Sequence, residues 1–443
     1  MIEKARVFEI LEMGITSSQA DQTELVWMGE KFDFTQLAEN VIRQNISRSD
    51  HTIMVRTVLG KRIGVAVTNR VDEESIKKVV GTATEIAGYQ KEDPDFVSLP
   101  SSLPAREVKG FYQNTSQYSP MDKAKDVERA VKRCKAQKLV GTGAFQTETD
   151  VTAVINSLGT RQFFEETKAH FSLTVTAGDT VSGWAQGYDR DVSKINIESI
   201  TGRATLKAVL SKNPIELPPG KYTVILEEAA VASLLLFLGF LGFGAKTFLQ
   251  GRSFMARNIG EKITGDKITI VEDPFHSAMN AVPFDYEGVA KDRVSLIENG
   301  IAKGVVYNSY YANKAGVKST GHALPPNNTF GPYPKNMVMS SGNSSLEDMI
   351  ARTEKGILIT HFWYINYMNP MKTQVTGTTR DGTFLIEDGK IKSAVKNMRI
   401  GQSILEAFSN VEMMTKERRL CPQFGVVMYV PAMKIKDFTF IGG

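Results

Sequence analysis

Residues 218–237 read Pro218-Pro-Gly-Lys-Tyr-Thr-Val-Ile-Leu-Glu-Glu-Ala-Ala-Val-Ala-Ser-Leu-Leu-Leu-Phe237, which is a turn, a strand and the start of an apolar helix in direct succession. The run at 221–226 is typical of a buried strand. The segment Ser211–Gly220 is rich in proline and glycine, which end regular structure. These features predict a domain boundary, with one domain over residues 1–212 and a second over residues 213–443.

Helices and strands mix on both sides of this boundary without regular alternation, which favours an α+β fold over a doubly wound sheet. In the first domain we predict strands at 23–34 and 50–67, a helix at Phe34–Ile46, helices beginning at Asp72 and Ser119, a β-rich segment over 142–190, and a helix at Glu198–Leu210. In the second, strand-rich domain we predict strands at Lys221–Leu226, Lys267–Val271, Gly356–Ile365, Thr383–Glu387, Val426–Val430 and Met433–Ile441, and helices near Ser345–Arg352 and Gln402–Val411. Asp388-Gly389 between two short strands predicts a two-residue hairpin.

The charge and cysteine content exclude several classes of protein. The chain has 443 residues, with 53 basic and 49 acidic side chains, so its formal net charge is +4. This charge is too small to indicate a nucleic-acid partner. Two cysteines exclude a disulfide scaffold. Because charged residues interrupt the amino-terminal segment, it lacks the apolar stretch of a signal peptide, and a cytoplasmic location is expected.

The uncharged run Ala229–Ala245 is the segment that raises the question of a membrane. It is shorter than the roughly 20 apolar residues that a spanning helix needs. It also contains three glycines, and Glu227 and Glu228 precede it. We therefore predict a helix buried in the core or in a subunit interface, and no membrane association. Its glycine-containing end resembles a phosphate loop, but Ala245 stands where that motif needs glycine, so a helix end is predicted.

The histidines restrict metal chemistry. None of the five is followed by glutamate, so an HExxH or HExxxH zinc motif is absent. A dispersed site remains possible at Asp273, His276, Asp285, Glu287 and His322, because Asp285 and Glu287 could face one side of an extended segment. The alternative is a turn whose carboxylates accept backbone N–H bonds or pair with Arg293.

The two cysteines are expected to be structural. Cys134 lies on the apolar face of the helix that begins at Ser119. Cys421 precedes Pro422 and has no histidine near it in the sequence, so a buried thiol is predicted. Spatial pairing of Cys421 with His361 is the alternative.

A series of short motifs follows one another along almost the whole chain. They are Val154–Gly159, Pro218–Leu226, Gly251–Phe254, Glu272–Pro274, Pro283–Gly288, Ile297–Gly300, Asn369-Pro370, Thr376-Gly377 and Phe384–Ile391. This order resembles the TldD/PmbA family, also called peptidase U62 or "modulator of DNA gyrase". The resemblance implies an α+β amino-terminal domain, a strand-rich carboxyl-terminal domain, and cytoplasmic TldD–TldE assemblies or homodimers. It also implies action on peptides and unfolded segments by a zinc metalloprotease, whose HExxxH motif follows the first strand of the second domain.

This chain departs from the family at that motif. Glu227 and Ala232 stand at the two histidine positions, and only Glu228 matches the motif glutamate. Cys421 falls in the region of the family's carboxyl-terminal cysteine, but the flanking residues are not glycine-rich. The chain therefore resembles the TldE (PmbA) type, which has no zinc ligands.

Three functions are consistent with the sequence. The first, implied by the resemblance, is a TldE-like subunit without its own catalysis, which pairs with a TldD-like metalloprotease that alone carries zinc. The second is an independent metal-dependent peptidase that uses Asp285, Glu287, His276 or His322. The third is a non-enzymatic homodimer that binds peptides.

Overall fold

Two β-sheets organise the chain in the computed structural model, which describes residues 2–102, 104–178, 181–279 and 281–442. The amino-terminal half contains the helices α1 (Lys4–Ser17), α2 (Glu73–Tyr89), α3 (Gln113–Ser116), α4 (Pro120–Ala136) and α5 (Ile197–Leu210). Its strands are β1 (Gln22–Ala38), β2 (Val41–Leu59), β3 (Arg62–Thr68), β4 (Val140–Asn156), β5 (Arg161–Ala177) and β6 (Val181–Asp189).

The first sheet has six strands in the order β3-β2-β1-β4-β5-β6, and each neighbouring pair is antiparallel. Successive side chains of a strand point to opposite faces. On β5, Phe171 and Leu173 are fully buried with residues of α4 and α5, whereas Lys168 and His170 line a cavity on the other face. Helices therefore cover one face of the sheet, and the opposite face is charged.

The helix predicted over Phe34–Ile46 is wrong, because β1 and β2 form a hairpin there. Glu39 and Asn40 form its turn, with φ of 52° and 61°. The apolar residues have a spacing that suits a helix, but Leu37 pairs with Ile42 across the hairpin and is buried against residues of α4. Tertiary packing thus determines the conformation of a segment whose local pattern suits both a helix and a hairpin.

Other local predictions are confirmed. Asp72 caps α2 by accepting a hydrogen bond from the Ser75 N–H at 2.9 Å. Ser119 and Asp122 form a reciprocal capping box at the start of α4. At the predicted hairpin, Asp388 and Gly389 both have positive φ, as a type I′ turn requires.

The carboxyl-terminal half is built around an eleven-stranded sheet. Its helices are α6 (Glu228–Gly242), α7 (Ala245–Leu249), α8 (Ser309–Ala315), α9 (Leu346–Ala351) and α10 (Ile404–Ser409). Its strands are β7 (Gly220–Leu226), β8 (Ile270–Glu272), β9 (Val294–Glu298), β10 (Ile301–Ala302), β11 (Asn336–Met339), β12 (Lys355–Asn369), β13 (Gln374–Glu387), β14 (Lys390–Ala394), β15 (Arg399–Ser403), β16 (Val411–Gln423) and β17 (Val426–Ile441). The mixture of helices and strands confirms the α+β class, while the division at residues 212 and 213 remains a proposal.

Strand β17 is the centre of this sheet. It is one continuous strand, where the sequence predicted two short ones. It pairs with β7, β15 and β16 in the antiparallel sense and with β11 in the parallel sense. The first strand of this half is therefore joined directly to its last.

Helix α6 is buried against this sheet. Leu234, Leu235 and Leu236 are consecutive and all have 0% exposure, so most of the helix surface is covered. It is the core helix that the sequence predicted, and it ends at Gly242, as expected for the glycine-containing segment. Among the residues that the structure describes, no helix combines the length and apolar character needed to cross a bilayer.

Candidate functional site

The start of α6 is where the sequence resemblance leads us to expect a zinc motif, and here a lysine neutralises the first residue of the segment. The Glu227 carboxylate accepts a hydrogen bond from Lys207 Nζ at 2.5 Å. Lys207, from α5, also donates to the Trp184 carbonyl at 3.2 Å. Both charged side chains are nearly buried. The pair therefore connects the two halves of the molecule at this point.

An arginine neutralises the next residue. Arg419 Nε donates to the Glu228 carboxylate at 3.1 Å. Burial and the neighbouring charge of Arg419 lower the pKa of Arg203, while the charges of Glu228 and Glu227 oppose that shift. Three cationic side chains thus lie close to two carboxylates.

The side chains at this position do not fit zinc. A zinc site of this type needs two imidazoles on successive turns of one helix. Here Glu227 is engaged by an ammonium group, Ala232 offers only a buried methyl group, and Glu228 is engaged by a guanidinium group. The cationic side chains of the chain itself occupy the surroundings in which a divalent cation would have to be held.

Cys421 lies beside this cluster. The thiol is 2% exposed, and burial, reinforced by the charge of Glu228, raises its pKa well above the ordinary range. Burial also raises the pKa of Cys134 to about 11. Because the thiolate is the reactive form, both groups are expected to be inert.

We expect iodoacetamide to leave both cysteines of the folded protein unmodified at about pH 8 and to modify both after denaturation. Intact-mass spectrometry before and after addition of guanidinium measures this. The denatured sample is the control for reagent activity. Rapid alkylation of Cys421 in the folded protein would contradict the buried, protonated thiol.

Asp285 and Glu287 are turn residues rather than partners of Arg293. Asp285 accepts backbone N–H bonds from Glu287 at 2.9 Å, Val289 at 3.0 Å and Ala323 at 2.8 Å. Of the two alternatives that the sequence left open for these carboxylates, the structure shows the backbone N–H bonds and not the pairing with Arg293. Arg293 extends instead to Asp273, with Nε 3.3 Å from the carboxylate.

Glu287 is held from two sides. Its carboxylate accepts the Ser309 N–H at 3.0 Å and lies 3.4 Å from Arg56 Nη1. Arg56, on β2, also lies 2.9 Å from the Glu24 carboxylate on β1. A buried ion triad thus ties the first sheet to the carboxyl-terminal half.

The remaining predicted residues do not join these carboxylates as one ligand group. His276 accepts the Ala278 N–H through Nδ1 at 3.2 Å, and its ring packs against Tyr429. His322 Nδ1 lies 3.0 Å from the Thr320 hydroxyl. Within the described ranges, the only three acidic, histidine or cysteine side chains that converge closely are Glu30, Glu148 and Asp150.

A cavity of about 630 Å³ lies between the charged face of the first sheet and loops of the carboxyl-terminal half. Asp285 and His322 line it. In the part of the chain that the structure describes, His276, Glu287, Arg293 and Cys421 are outside its lining. The sequence thus predicted two of the cavity residues.

The sheet side of the cavity carries a network of ion pairs around Lys168. Its Nζ contacts Asp150 and lies 3.5 Å from both Glu148 and Glu166. Arg190 Nη1 donates to Glu166 at 2.5 Å. Burial opposes ionisation of Glu166, but the charges of Arg190 and Lys168 prevail and lower its pKa to about 2.

Sequence reasoning missed this network although a signal for it exists. Glu148 and Asp150 are two residues apart on β4, as Glu166 and Lys168 are on β5, so each pair faces one side of its strand. The register places Glu148 opposite Lys168 and Asp150 opposite Glu166. Without knowledge of the register, these four charged side chains would be interpreted simply as solvent-facing residues of two strands.

Three family models match consecutive parts of the chain. PmbA/TldA metallopeptidase domain 1 matches residues 33–87, the central domain matches 114–212, and the C-terminal domain matches 219–442. Together the matches cover well over half of the sequence.

Individual relatives are similar over nearly the same length. Metalloprotease PmbA of Escherichia coli O157:H7 is 26% identical, with 87% of this chain and 86% of the relative aligned. A metalloprotease TldD homolog of Buchnera aphidicola is 23% identical, over 99% of this chain and 95% of the relative. The crystal structure of TldE from Thermococcus kodakarensis superposes with a TM-score of 0.90 at 25% identity, covering 99% of this chain and all of that one.

Proposed function

Since the chain belongs to the PmbA/TldD metallopeptidase family, we propose that it is a TldE-like subunit without its own catalysis. In this proposal it acts in the cytoplasm together with a TldD-like zinc metalloprotease, and the pair handles peptides or unfolded segments. The similarity to TldE over 99% of the chain supports the assignment to this type.

The observation that carries the proposal is the cationic cluster at the start of α6. A positively charged environment opposes the binding of a divalent cation, because like charges repel strongly where water is scarce. Lys207 and Arg419 engage the two glutamates directly, at 2.5 and 3.1 Å. The chain thus places its own cationic side chains at the start of α6, and in this proposal the partner carries out catalysis.

An exposed apolar arm supports the partnership. Beyond Phe362 the hairpin of β12 and β13 carries large side chains in solvent, with Trp363 53%, Tyr364 79% and Met371 67% exposed. Tyr367 of the arm packs against Phe237 of α6 at 5.0 Å between ring centroids. Several large apolar side chains exposed on one hairpin are a feature of protein interfaces. We assign it to the TldD-like subunit.

Co-expression with a TldD-like chain tests the proposal. We expect a stable complex that contains zinc and cleaves an unfolded polypeptide, whereas the isolated chain neither binds stoichiometric zinc nor cleaves it. Metal analysis and peptidase assays measure both. Stoichiometric zinc on the isolated chain would support the independent peptidase and contradict the proposal. A stable homodimer that ignores the TldD-like chain would contradict it as well.

Within the same experiment, Tyr364→Asn combined with Met371→Ser is expected to weaken association by at least about tenfold, since buried aromatic contacts dominate interfaces. Tyr89→Ser is the matched control, because Tyr89 is 82% exposed but lies on α2, away from the arm. Gel filtration and titration calorimetry measure the change. Equal affinity of the arm variant and the control would show that the partner binds elsewhere.

A further inference from the structure

Strand β2 has a long edge without a neighbouring strand. On one side it pairs with β1 over nearly its whole length, from Val41 to Val58. On the other side β3 covers only Ile53–Leu59. Among the described residues, no strand pairs with this second side of residues 41–52, and residues 43–50 are all exposed. At about 3.3 Å per residue, the open edge is roughly 40 Å long.

The hydrogen bonds of β2 show which residues direct their main chain toward this edge. The Val58 carbonyl accepts the Asp21 N–H on the β1 side, at 3.0 Å. The His51 N–H instead donates to the carboxylate of its own neighbour, Asp50, at 2.8 Å. In an antiparallel strand alternate residues direct their N–H and C=O groups to the same side, and the register between these residues is uninterrupted. The other residues whose main chain faces the open edge are therefore Asn45, Ser47 and Ser49.

The main-chain groups of these three residues lack partners. Within the described ranges, no main-chain hydrogen bond from another element reaches them. Native proteins often protect an unpaired edge with charged side chains, and here Asp50 covers only the end of the row, at His51. A row of alternating N–H and C=O groups is matched by another extended main chain, which adds to the sheet as a strand.

The side chains along the edge favour a transient ligand over a permanent subunit contact. Ile46 is the only apolar residue from 43 to 50. Permanent subunit interfaces are large and rich in apolar side chains, which the arm of β12 and β13 provides and this edge does not. Ser47 and Ser49 are small and uncharged, so they impose little preference on the sequence of a strand beside them. The edge therefore suits a segment that is recognised through its main chain.

We propose that residues 45–49 of β2 bind an extended segment of an unfolded polypeptide as an added strand of the first sheet. Arg48, Asp50 and Thr52 line the cavity between this sheet and the carboxyl-terminal loops, so the docked segment would lie beside that cavity. The inference rests on the proposed function, because it states where peptides handled by the pair contact this chain and in which conformation. It requires neither a metal nor a side-chain pocket.

Peptide binding by the isolated full chain tests this without any TldD-like partner, so its failure is distinct from a failure of the two chains to associate. The probe is a blocked octapeptide of alternating threonine and glutamine that carries fluorescein, and fluorescence anisotropy measures its affinity. We expect the same peptide, N-methylated throughout its central residues, to bind at least about tenfold more weakly, because both of its hydrogen-bonding edges are blocked. Absence of binding by the unmodified peptide, or equal binding of both peptides, would overturn the proposal.

Variants of one residue locate the contact. Ser47→Pro removes an N–H that faces the open edge, and its ring obstructs an added strand, while the hydrogen bonds to β1 are kept. Ser47→Ala is the matched control, because it removes the same hydroxyl and keeps the N–H. We expect the proline variant to bind the octapeptide at least about tenfold more weakly than the alanine variant, which should match the unmodified chain. Ser49→Pro, at the next outward residue, is expected to behave as Ser47→Pro does.

Circular dichroism verifies that each variant is folded. Equal peptide affinity of the folded proline and alanine variants would overturn the assignment to β2. Mixing the same variants with a TldD-like chain separates a peptide site from a subunit contact. If the proline variants weakened association with that chain and left peptide binding unchanged, the edge would be a subunit interface and the proposal would be wrong.

Discussion

Replacing Arg56 by methionine is expected to lower the free energy of unfolding by about 3–5 kcal/mol, the usual cost of removing one partner from a buried ion pair. The guanidinium group lies 2.9 Å from the Glu24 carboxylate and 3.4 Å from that of Glu287. Glu24 has 0% exposure and Glu287 4%. The variant would leave two carboxylates in a site that water does not reach. Urea unfolding followed by circular dichroism measures the loss.

Lys77→Met is the matched control for this variant. Lys77 forms an ion pair with Glu73 on the exposed face of α2, so its removal is expected to change stability by roughly 0.5 kcal/mol or less. A loss below about 1 kcal/mol for Arg56→Met would mean that the triad is solvated, contrary to its burial.

The loss should also depend on pH. Burial, opposed by Arg56, raises the pKa of Glu24 to about 7, and without the arginine it rises further. A carboxyl group whose pKa is higher in the folded than in the unfolded state takes up a proton on folding, so acidification favours the folded state. The deficit of Arg56→Met is therefore expected to shrink between about pH 8 and pH 5, and a deficit that grows on acidification would contradict this assignment.

Replacing Lys207 by methionine is expected to cost a similar amount, about 3–5 kcal/mol, because Glu227 would remain buried without its counter-charge. The two side chains are each only 10% exposed. Adding Glu227→Gln should restore a large part of the stability, since an amide is far less costly to bury than a carboxylate. A double-mutant cycle in urea gives the coupling between the two residues.

Lys396→Met is the control for this cycle. Lys396 and Glu216 are 2.6 Å apart, close to the separation in the buried pair, but both are exposed. Their coupling is expected to be below about 1 kcal/mol. If the Lys207–Glu227 coupling were no larger than that of the exposed pair, the cationic cluster at α6 would have no role in stability.

The elements that the sequence predicted correctly are those determined by neighbouring residues. The cap at Asp72 and the turn at Asp388-Gly389 depend on a few side chains and on local backbone angles. Helix α6 was predictable because an apolar run of this length, preceded by two glutamates, is compatible with few structures other than a buried helix. The hairpin at Glu39 and Asn40 was not, because its apolar spacing also suits a helix and only packing against α4 decides between them.

The site was partly predictable for a related reason. The loss of histidine at residues 227 and 232 can be read directly from the sequence. The ion pairs of Glu227 with Lys207 and of Glu228 with Arg419 could not be read from the sequence, because these cationic residues come from α5 and β16, distant along the chain. The pairing of Lys168 with three carboxylates likewise depends on strand register. The sequence left open whether Asp285 and Glu287 accept backbone N–H bonds or pair with Arg293, because proximity in sequence is a poor guide to contacts between loops; Arg293 contacts Asp273 instead.

The position of β17 has a consequence for biosynthesis. Until the ribosome has released residues near Ile441, β7 lacks one of its two neighbours and β11 lacks its parallel partner. Helix α6, made some 200 residues earlier, lacks until then the part of its apolar cover that β17 supplies. Domains generally fold as units during synthesis, and exposed apolar segments invite aggregation. The nascent carboxyl-terminal half should therefore be a client of ribosome-associated chaperones, and translation that stops short of β17 should yield insoluble chains.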